Sequence, residues 1–357
     1  CLNHQGQFCY YVPYLYLIEG GIDAGRLARA TDTALGAHPS LLTRISVDEL
    51  GNPMQTIDTD STLPATTVVN VDDIHRAAQA RLRPIDLTTE PLVRSTVLRQ
   101  PDGTVGLLLE YHHIIADGTS LQIILRDIAL AFRGETIKPE QTSLQQYAQQ
   151  EAELRQSDAF DKARQWYAAQ FDNDDIYSPL LPDVELSGND GAHLSRTLNV
   201  DLEDIDTFCR QNGIFKSTLF TAAYAYLLAR LNGQNESLTL TAYNGRDGHD
   251  LGHTVGMFVK TLPVLCRFDN NTDVLTLLRT LQEQTGGCRD NSLYSFMDIV
   301  NELHLQFGTT FGWHGQLFAD TDFAGYRLTI EQLIDERTPG ETFYLKTYIH
   351  DGRPEAR

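Results

Sequence analysis

The stretch that most constrains this chain is GLLLEYHHIIADGTSLQIILRDIALAFRG, residues 106–134. Its apolar first part reads as a strand ending at His112-His113. Asp117 and Gly118 then sit just ahead of a helix whose stripe is Leu121, Ile124, Leu125 and Ile128, with Gly134 placed to stop it. Thr119 or Ser120 is the expected cap. The order is strand, tight loop, helix, and loops on such scaffolds often carry active sites.

Strand side chains alternate faces. Leu107, Leu109, Tyr111 and His113 therefore share one face, and Leu108, Glu110 and His112 the other. The two imidazoles point apart and are not expected to do the same job. An imidazole in such a loop titrates near neutrality and can act as a general base. Taken alone, a strand-end histidine is more often a satisfied structural residue. A metal site on His112, His113 and Asp117 is not expected, because the alternation splits the histidines and no third protein ligand is evident.

Other segments read in the same way. YYVPYLYLIE (10–19) is a strand, after which Asp23 caps a helix bearing Leu27, Ala30, Thr31 and Ala34. LLTRISVD and ATTVVNV are strands, and DDIHRAAQARLRPI holds a short acid-led helix. PLVRSTVLRQPDGTVGLLLEYHH is a hairpin turning at Pro101-Asp102-Gly103. The run from Ser143 to Phe171 reads as one long helix. Residues 172–192, with Pro179, Pro182, Gly188 and Gly191, break all periodicity and are placed as a linker. The second half restarts with a strand, HLSRTLNV, and an acid-led helix, DLEDIDTFCRQNG, in the order of the first half. Ser217 is the expected cap of the apolar helix that stops at Gly233, and SLTLTAY is a strand. FGTTFGWHGQLFADTDFAG, after residue 305, fits no clean period.

The length, 357 residues, exceeds what one core usually serves, so two lobes are expected, 1–171 and 193–357, joined by 172–192. A net charge of −20 argues against nucleic acid and anionic membranes as partners. Cys1, Cys9, Cys209, Cys266 and Cys288 are scattered with no CxxC pair, which fits free thiols in a reducing cytoplasm. No apolar run approaches the roughly 20 residues that span a bilayer, and no signal peptide is visible. The string starts without Met and stops in mid-pattern, so it reads as a piece of something longer.

HHIIADG resembles the HHxxxDG signature of condensation domains of nonribosomal peptide synthetases. Three further stretches agree in order and distance. RPIDLTTEPLVRSTVL (83–98) resembles the family's "FDL…PL-R" segment, with Ile85 for Phe. YNGRDGHDLGHTVGMFVKTLPV (243–264) resembles its "GR…VG-F-NTLP" segment, with Lys260 for Asn. AHPSLLTRI (37–45) resembles a degenerate "RHExLRT". LYSFMDIVNELH (293–304) matches its segment only loosely.

The resemblance implies an α+β fold of two-layer α/β sandwich lobes. These would be two chloramphenicol acetyltransferase-like lobes in a V-shaped pseudo-dimer, with a tunnel between them. It implies no metal and no intrinsic cofactor. Substrates would arrive on 4′-phosphopantetheine arms of upstream donor and downstream acceptor carrier proteins, beside an adenylation domain. His113 matches the second histidine, which accepts the amine proton or orients the amine. His112 matches the first and is structural. Asp117 would pair with Arg246 to hold the loop, and the Gly118 N–H would face the developing oxyanion. Gly256, Phe258 and Pro263 are scaffold, Tyr111 packs beside His113, and Trp166 and Tyr167 belong to the core.

Rival readings are an epimerisation domain, a catalytically silent recruiting module and a free-standing acyltransferase. Epimerisation domains share HHxxxDG but carry an acidic "EGHGRE" segment, where this chain reads AYNGRDGHD with Asn244 ahead of Gly245-Arg246. Heterocyclisation domains replace the histidine motif, and His113 is intact.

Overall fold

The structure is a computed structural model. It describes residues 8–171, 176–180, 194–269, 271–315, 321–334, 343–350 and 353–356. The described strands are β1 (Tyr11–Ile18), β2 (Thr43–Val47), β3 (Pro53–Ile57), β4 (Thr67–Asn70), β5 (Val93–Arg99), β6 (Val105–His112), β7 (Arg196–Thr197), β8 (Glu236–Tyr243), β9 (Lys260–Arg267), β10 (Thr309–Gly315), β11 (Thr321–Phe323), β12 (Tyr326–Gln332), β13 (Phe343–His350) and β14 (Arg353–Ala356). The described α-helices are α1 (Ala24–Gly36), α2 (Ile74–Gln79), α3 (Gly118–Arg133), α4 (Leu144–Leu154), α5 (Asp158–Gln170), α6 (Leu202–Asn212), α7 (Lys216–Leu231), α8 (Val274–Asp290) and α9 (Phe296–Leu303).

Packing divides these elements into two compact units. The first comprises Cys1–Tyr147, Arg246–Phe258 and Ala319–Pro339; the second comprises Ala148–Gly245, Val259–Phe318 and Gly340–Arg357. This differs from the expected cut at 171 and 193. Composition marks where Pro and Gly interrupt the chain, whereas packing follows where apolar side chains are buried. Tyr147 packs on Leu251 and Phe258, and β12 pairs with β1, so two later segments belong to the first unit. Of the expected linker, 172–175 and 181–192 lie outside the described residues.

The first unit holds a six-stranded sheet in the order β11-β12-β1-β6-β5-β4, antiparallel apart from the parallel β4–β5 pair. Strand β6 lies inside it, pairs with β1 and β5, and is buried at every residue. The expected β5–β6 hairpin turns at Gly103, whose φ of +91° suits glycine. Helices α1 and α3 pack on each other. On the sheet, Ile74 and Ala78 of α2 close a cluster with Leu15, Leu98 and Leu108. The second unit holds a sheet in the order β7-β14-β13-β10-β8-β9. Ala222 and Ala225 of α7 and Leu278 and Leu281 of α8 bury against Val264 and Cys266 of β9. Tyr167 is fully buried in a second cluster, with Trp166 packed against it, so both belong to the core.

Four local expectations change. The run from Ser143 is two helices, because Ser157 takes extended geometry and caps α5 through the Ala159 N–H. The N-cap position of α7 is Phe215, not Ser217, and no side chain caps the helix; the Gln282 side chain accepts the N–H of Phe215 itself at 2.8 Å. Of HLSRTLNV, only Arg196–Thr197 forms a described strand. The segment without a clean period contains β10 and β11. Strand β10 pairs in parallel with both β8 and β13, and such interior parallel strands lack a polar face to alternate.

Candidate active site

β6 delivers the two histidines from the middle of the sheet, and His112 is its last residue. Its ring is 5% exposed, and its Nδ1 accepts the Ile114 N–H at 3.1 Å. The proton of the neutral ring therefore sits on Nε2. Burial, and after it the neighbouring His113, push the pKa of His112 down to about 4, so it is neutral at pH 7. His113 lies one residue beyond the strand, partly exposed, and its N–H donates to the Tyr10 carbonyl at 2.8 Å. The adjacent residues thus differ: His112 is buried and held as an acceptor, and His113 is partly exposed.

Asp117 is wholly buried and is itself the N-cap of α3. This corrects the expectation that Thr119 or Ser120 caps the helix. Asp117 Oδ1 accepts from the Ser120 N–H at 2.8 Å, because a short carboxylate at the extended N-cap position reaches back to the third helical N–H. Gly118 is the first helical residue. Its N–H has no acceptor within the helix by construction, and its φ is not left-handed.

The carboxylate of Asp117 does a second job. Arg246 Nη2 lies 2.9 Å from Oδ1, and the Phe258 N–H donates to Oδ2 at 3.1 Å. Arg246 also donates through Nη1 to the Leu251 carbonyl at 2.9 Å and the Thr254 carbonyl at 2.8 Å, and its guanidinium lies 4.5 Å from the Phe258 ring centre. Ser120 Oγ accepts from Arg246 Nη2 at 3.0 Å and the Gly256 N–H at 3.0 Å, with Asp117 Oδ1 and the Gly256 carbonyl each 2.8 Å away for its one hydrogen. A Cβ on Gly256 would meet Phe258 ring atoms at 2.6 and 2.8 Å, so only glycine fits. One buried polar knot ties residues 246–258 to the start of α3.

A second knot was not foreseen. His38 is 1% exposed; its Nε2 lies 3.1 Å from Asp127 Oδ2, and its Nδ1 lies 3.3 Å from Glu140 Oε1. Arg126 Nε adds a contact to Asp127 at 2.8 Å, and Glu140 accepts the Val255 N–H at 3.3 Å. Burial pulls the pKa of His38 down, but hydrogen bonds to the two carboxylates outweigh it and the net shift is upward. His38 sits in AHPSLLTRI, a segment read only as a degenerate motif. Nothing near it in sequence pointed to Asp127 or Glu140.

Among the described residues no cluster of three His, Cys, Asp or Glu side chains could hold a metal ion. No described helix is long and apolar enough to cross a membrane.

The sequence profile of the condensation-domain family matches residues 2–311. Bacitracin synthase 3 of Bacillus licheniformis is 25% identical over 306 residues, which are 83% of this chain and 5% of that protein. Gramicidin S synthase 2 of Brevibacillus brevis is 25% identical over 305 residues, 83% of this chain and 7% of that protein. The chain therefore spans less than a tenth of the length of these relatives. The first condensation domain of the CDA synthetase superposes with a TM-score of 0.79 at 19% identity, covering 99% of this chain and 86% of that one. The condensation domain of Monacolin K polyketide synthase superposes with a TM-score of 0.83 at 18% identity, covering 97% and 86%. These likenesses bear out the α+β, chloramphenicol acetyltransferase-like fold. With its motif segments in order and the family profile matching from residue 2 to residue 311, the chain belongs to the condensation-domain family.

Proposed function

We propose that this domain forms an amide between a donor acyl or peptidyl thioester and an acceptor aminoacyl thioester. Both substrates would be tethered by 4′-phosphopantetheine arms to carrier proteins, within a synthetase that also contains an adenylation domain. The acceptor amine attacks the donor carbonyl carbon. The C–N bond forms, the C–S bond breaks, and the donor sulfur leaves as a thiol with the proton the amine gives up. His113 takes or steers that proton, and the Gly118 N–H faces the oxyanion of the tetrahedral intermediate. Asp117 and Arg246 position the loop without touching substrate, and His112 is structural.

The observation that carries this reading is the partly exposed His113 beside a buried, neutral His112, on a loop whose far end is fixed by Asp117 and Arg246. Tethering both substrates supplies proximity, so His113 need not supply the whole rate. Support for condensation over epimerisation comes from AYNGRDGHD, which has Asn244 before Gly245-Arg246 and no glutamate. The bacitracin and gramicidin S synthases among the relatives fit a synthetase setting.

The test is amide formation between two thioester-loaded carriers, followed by intact-protein mass spectrometry, wild type against His113→Ala. The expected result is product that requires both carriers and falls about 100-fold or more in the variant, the usual scale of general acid–base catalysis. Inversion of a single carrier-bound aminoacyl group with no amide would make the domain an epimerase. Carrier binding without turnover would make it a recruiting module.

A further inference from the structure

A pocket of about 300 Å³ opens on the first unit's sheet, away from His113 in register. Its lining includes Arg81, Arg83, Arg94, Thr67, Thr96 and Glu110. Arg94 stands directly opposite Glu110 in the β5–β6 register, and Thr67 opposite Thr96 in β4–β5. Glu110 shares its face of β6 with His112, not with His113.

The charges here oppose those of the whole protein. Three arginines line the pocket, and the acids that pair with them are Glu90 and Glu110, which leaves one positive charge in a chain of net −20. Arg94 Nη2 lies 3.0 Å from Glu110 Oε1 and donates to the Arg83 carbonyl at 2.5 Å. Arg83 Nη1 meets both oxygens of Glu90 at 2.7 and 2.8 Å, and Arg81 Nη1 bonds the Ala77 carbonyl at 2.9 Å. Glu110 is 3% exposed and also accepts from the Tyr11 hydroxyl. Arg94 Nε is buried with no acceptor among the described residues. Three guanidinium groups around one pocket, carrying more positive charge than the two acids paired with them remove, favour an anion there.

We infer that this pocket binds a small tetrahedral oxyanion, inorganic phosphate or the phosphate of a monoester. Three guanidinium groups and the paired threonine hydroxyls offer donors from several directions, which suits four tetrahedral oxygens better than one planar carboxylate. The carboxyl of Glu110, whose pKa burial raises, adds a donor toward the ligand when it is protonated. The site stands on its own residues and does not depend on the amide-forming reading.

The test is titration of inorganic phosphate into the full chain at constant ionic strength set with chloride, followed by calorimetry and phosphorus NMR. The expected result is saturable one-to-one binding at millimolar phosphate or below, competed by sulfate. Arg81→Gln with Arg83→Gln, at the partly exposed rim, should weaken it about tenfold or more, as should Arg94→Lys, which keeps the charge near Glu110 but removes the planar guanidinium fork. Tighter binding of glycerol phosphate than of inorganic phosphate would identify a monoester as the ligand; the reverse would identify the free ion. No saturable binding, unchanged binding in both variants, or acetate binding as tightly as phosphate would overturn the proposal.

Discussion

Two buried polar knots tie the same segment, residues 246–258, to the same helix, and they respond differently to pH. The knot at the start of α3 pairs Asp117 with Arg246, a guanidinium that stays charged at every pH a folded protein meets. The knot further along α3 pairs Asp127 with His38 and draws in Glu140, which reaches the Val255 N–H. The His38 part of its positive charge depends on a proton, while Arg126 beside Asp127 supplies the rest. The arginine knot lies at the loop's own cap and fixes the start of α3. The histidine knot holds the same segment further along α3, through Asp127 and Glu140. His112 adds a third case: it is buried with a hydrogen bond to its neutral form, so protonation opposes its native contacts.

The largest effect should come from breaking the arginine knot. Arg246→Ala leaves Asp117 buried and uncompensated, and should destabilise the protein by about 3–5 kcal/mol in urea unfolding. Asp117→Asn should cost nearly as much, because it removes the charge that compensates Arg246 and leaves an amide N–H or a lost acceptor where Oδ2 takes the Phe258 N–H. A stable Arg246→Ala protein with an ordered loop would sink the comparison. Next in size is the acid response of His112. Its folded pKa is depressed from 6.5 to about 4, so its share of stability is complete above about 6.5 and is lost as pH falls toward 4. That share is about 3 kcal/mol. His112→Asn, which keeps an acceptor for the Ile114 N–H, should flatten the loss of stability between pH 6.5 and 4.

Gly256→Ala should cost about 1–3 kcal/mol, since its methyl would collide with Phe258. The strain should show as a weakened Asp117–Arg246 coupling in a double-mutant cycle. Smallest is the pH slope from His38. Its folded pKa is raised, so its contribution is complete below about 6.5 and is lost as pH rises through the higher folded value. Asp127, held below its ordinary range despite burial by His38 and Arg126, contributes above its unfolded value and loses that as pH falls through the lower folded one. His38→Gln should therefore remove part of the decline in stability on the alkaline side of neutrality and leave acid behaviour to Asp127 and His112. An identical alkaline slope in the variant would show that the histidine knot carries no pH dependence.

Much of the first unit was legible because its signals are local. Asp23 ahead of a helix, Gly103 in a hairpin turn and Gly134 at a helix end each act through a backbone group a few residues away. The cap of α3 is not legible in the motif because Asp117 reads there as an ion-pair partner, whereas one oxygen, Oδ1, accepts both the Ser120 N–H of the cap and Arg246 Nη2. His38 was missed for the opposite reason: its partners lie 89 and 102 residues along the chain, and no periodicity encodes such a distance.

By itself, the sequence determined the strand–loop–helix carrying His112 and His113, most of the helices and hairpins near it, and membership of a family. The elements rest on hydrogen bonds and side-chain periodicity within one or two turns of chain, and the family on motif segments that keep their order and spacing along it. Tertiary structure alone decided that residues 246–258 and the β11–β12 hairpin return to the first unit, that Ser120 and Gly256 complete the Asp117 knot, and that Arg94 faces Glu110 in a charged pocket. Those outcomes depend on burial: a charge or a polar hydrogen removed from water must meet a partner, and only the folded sheet and its helices determine which one is within reach.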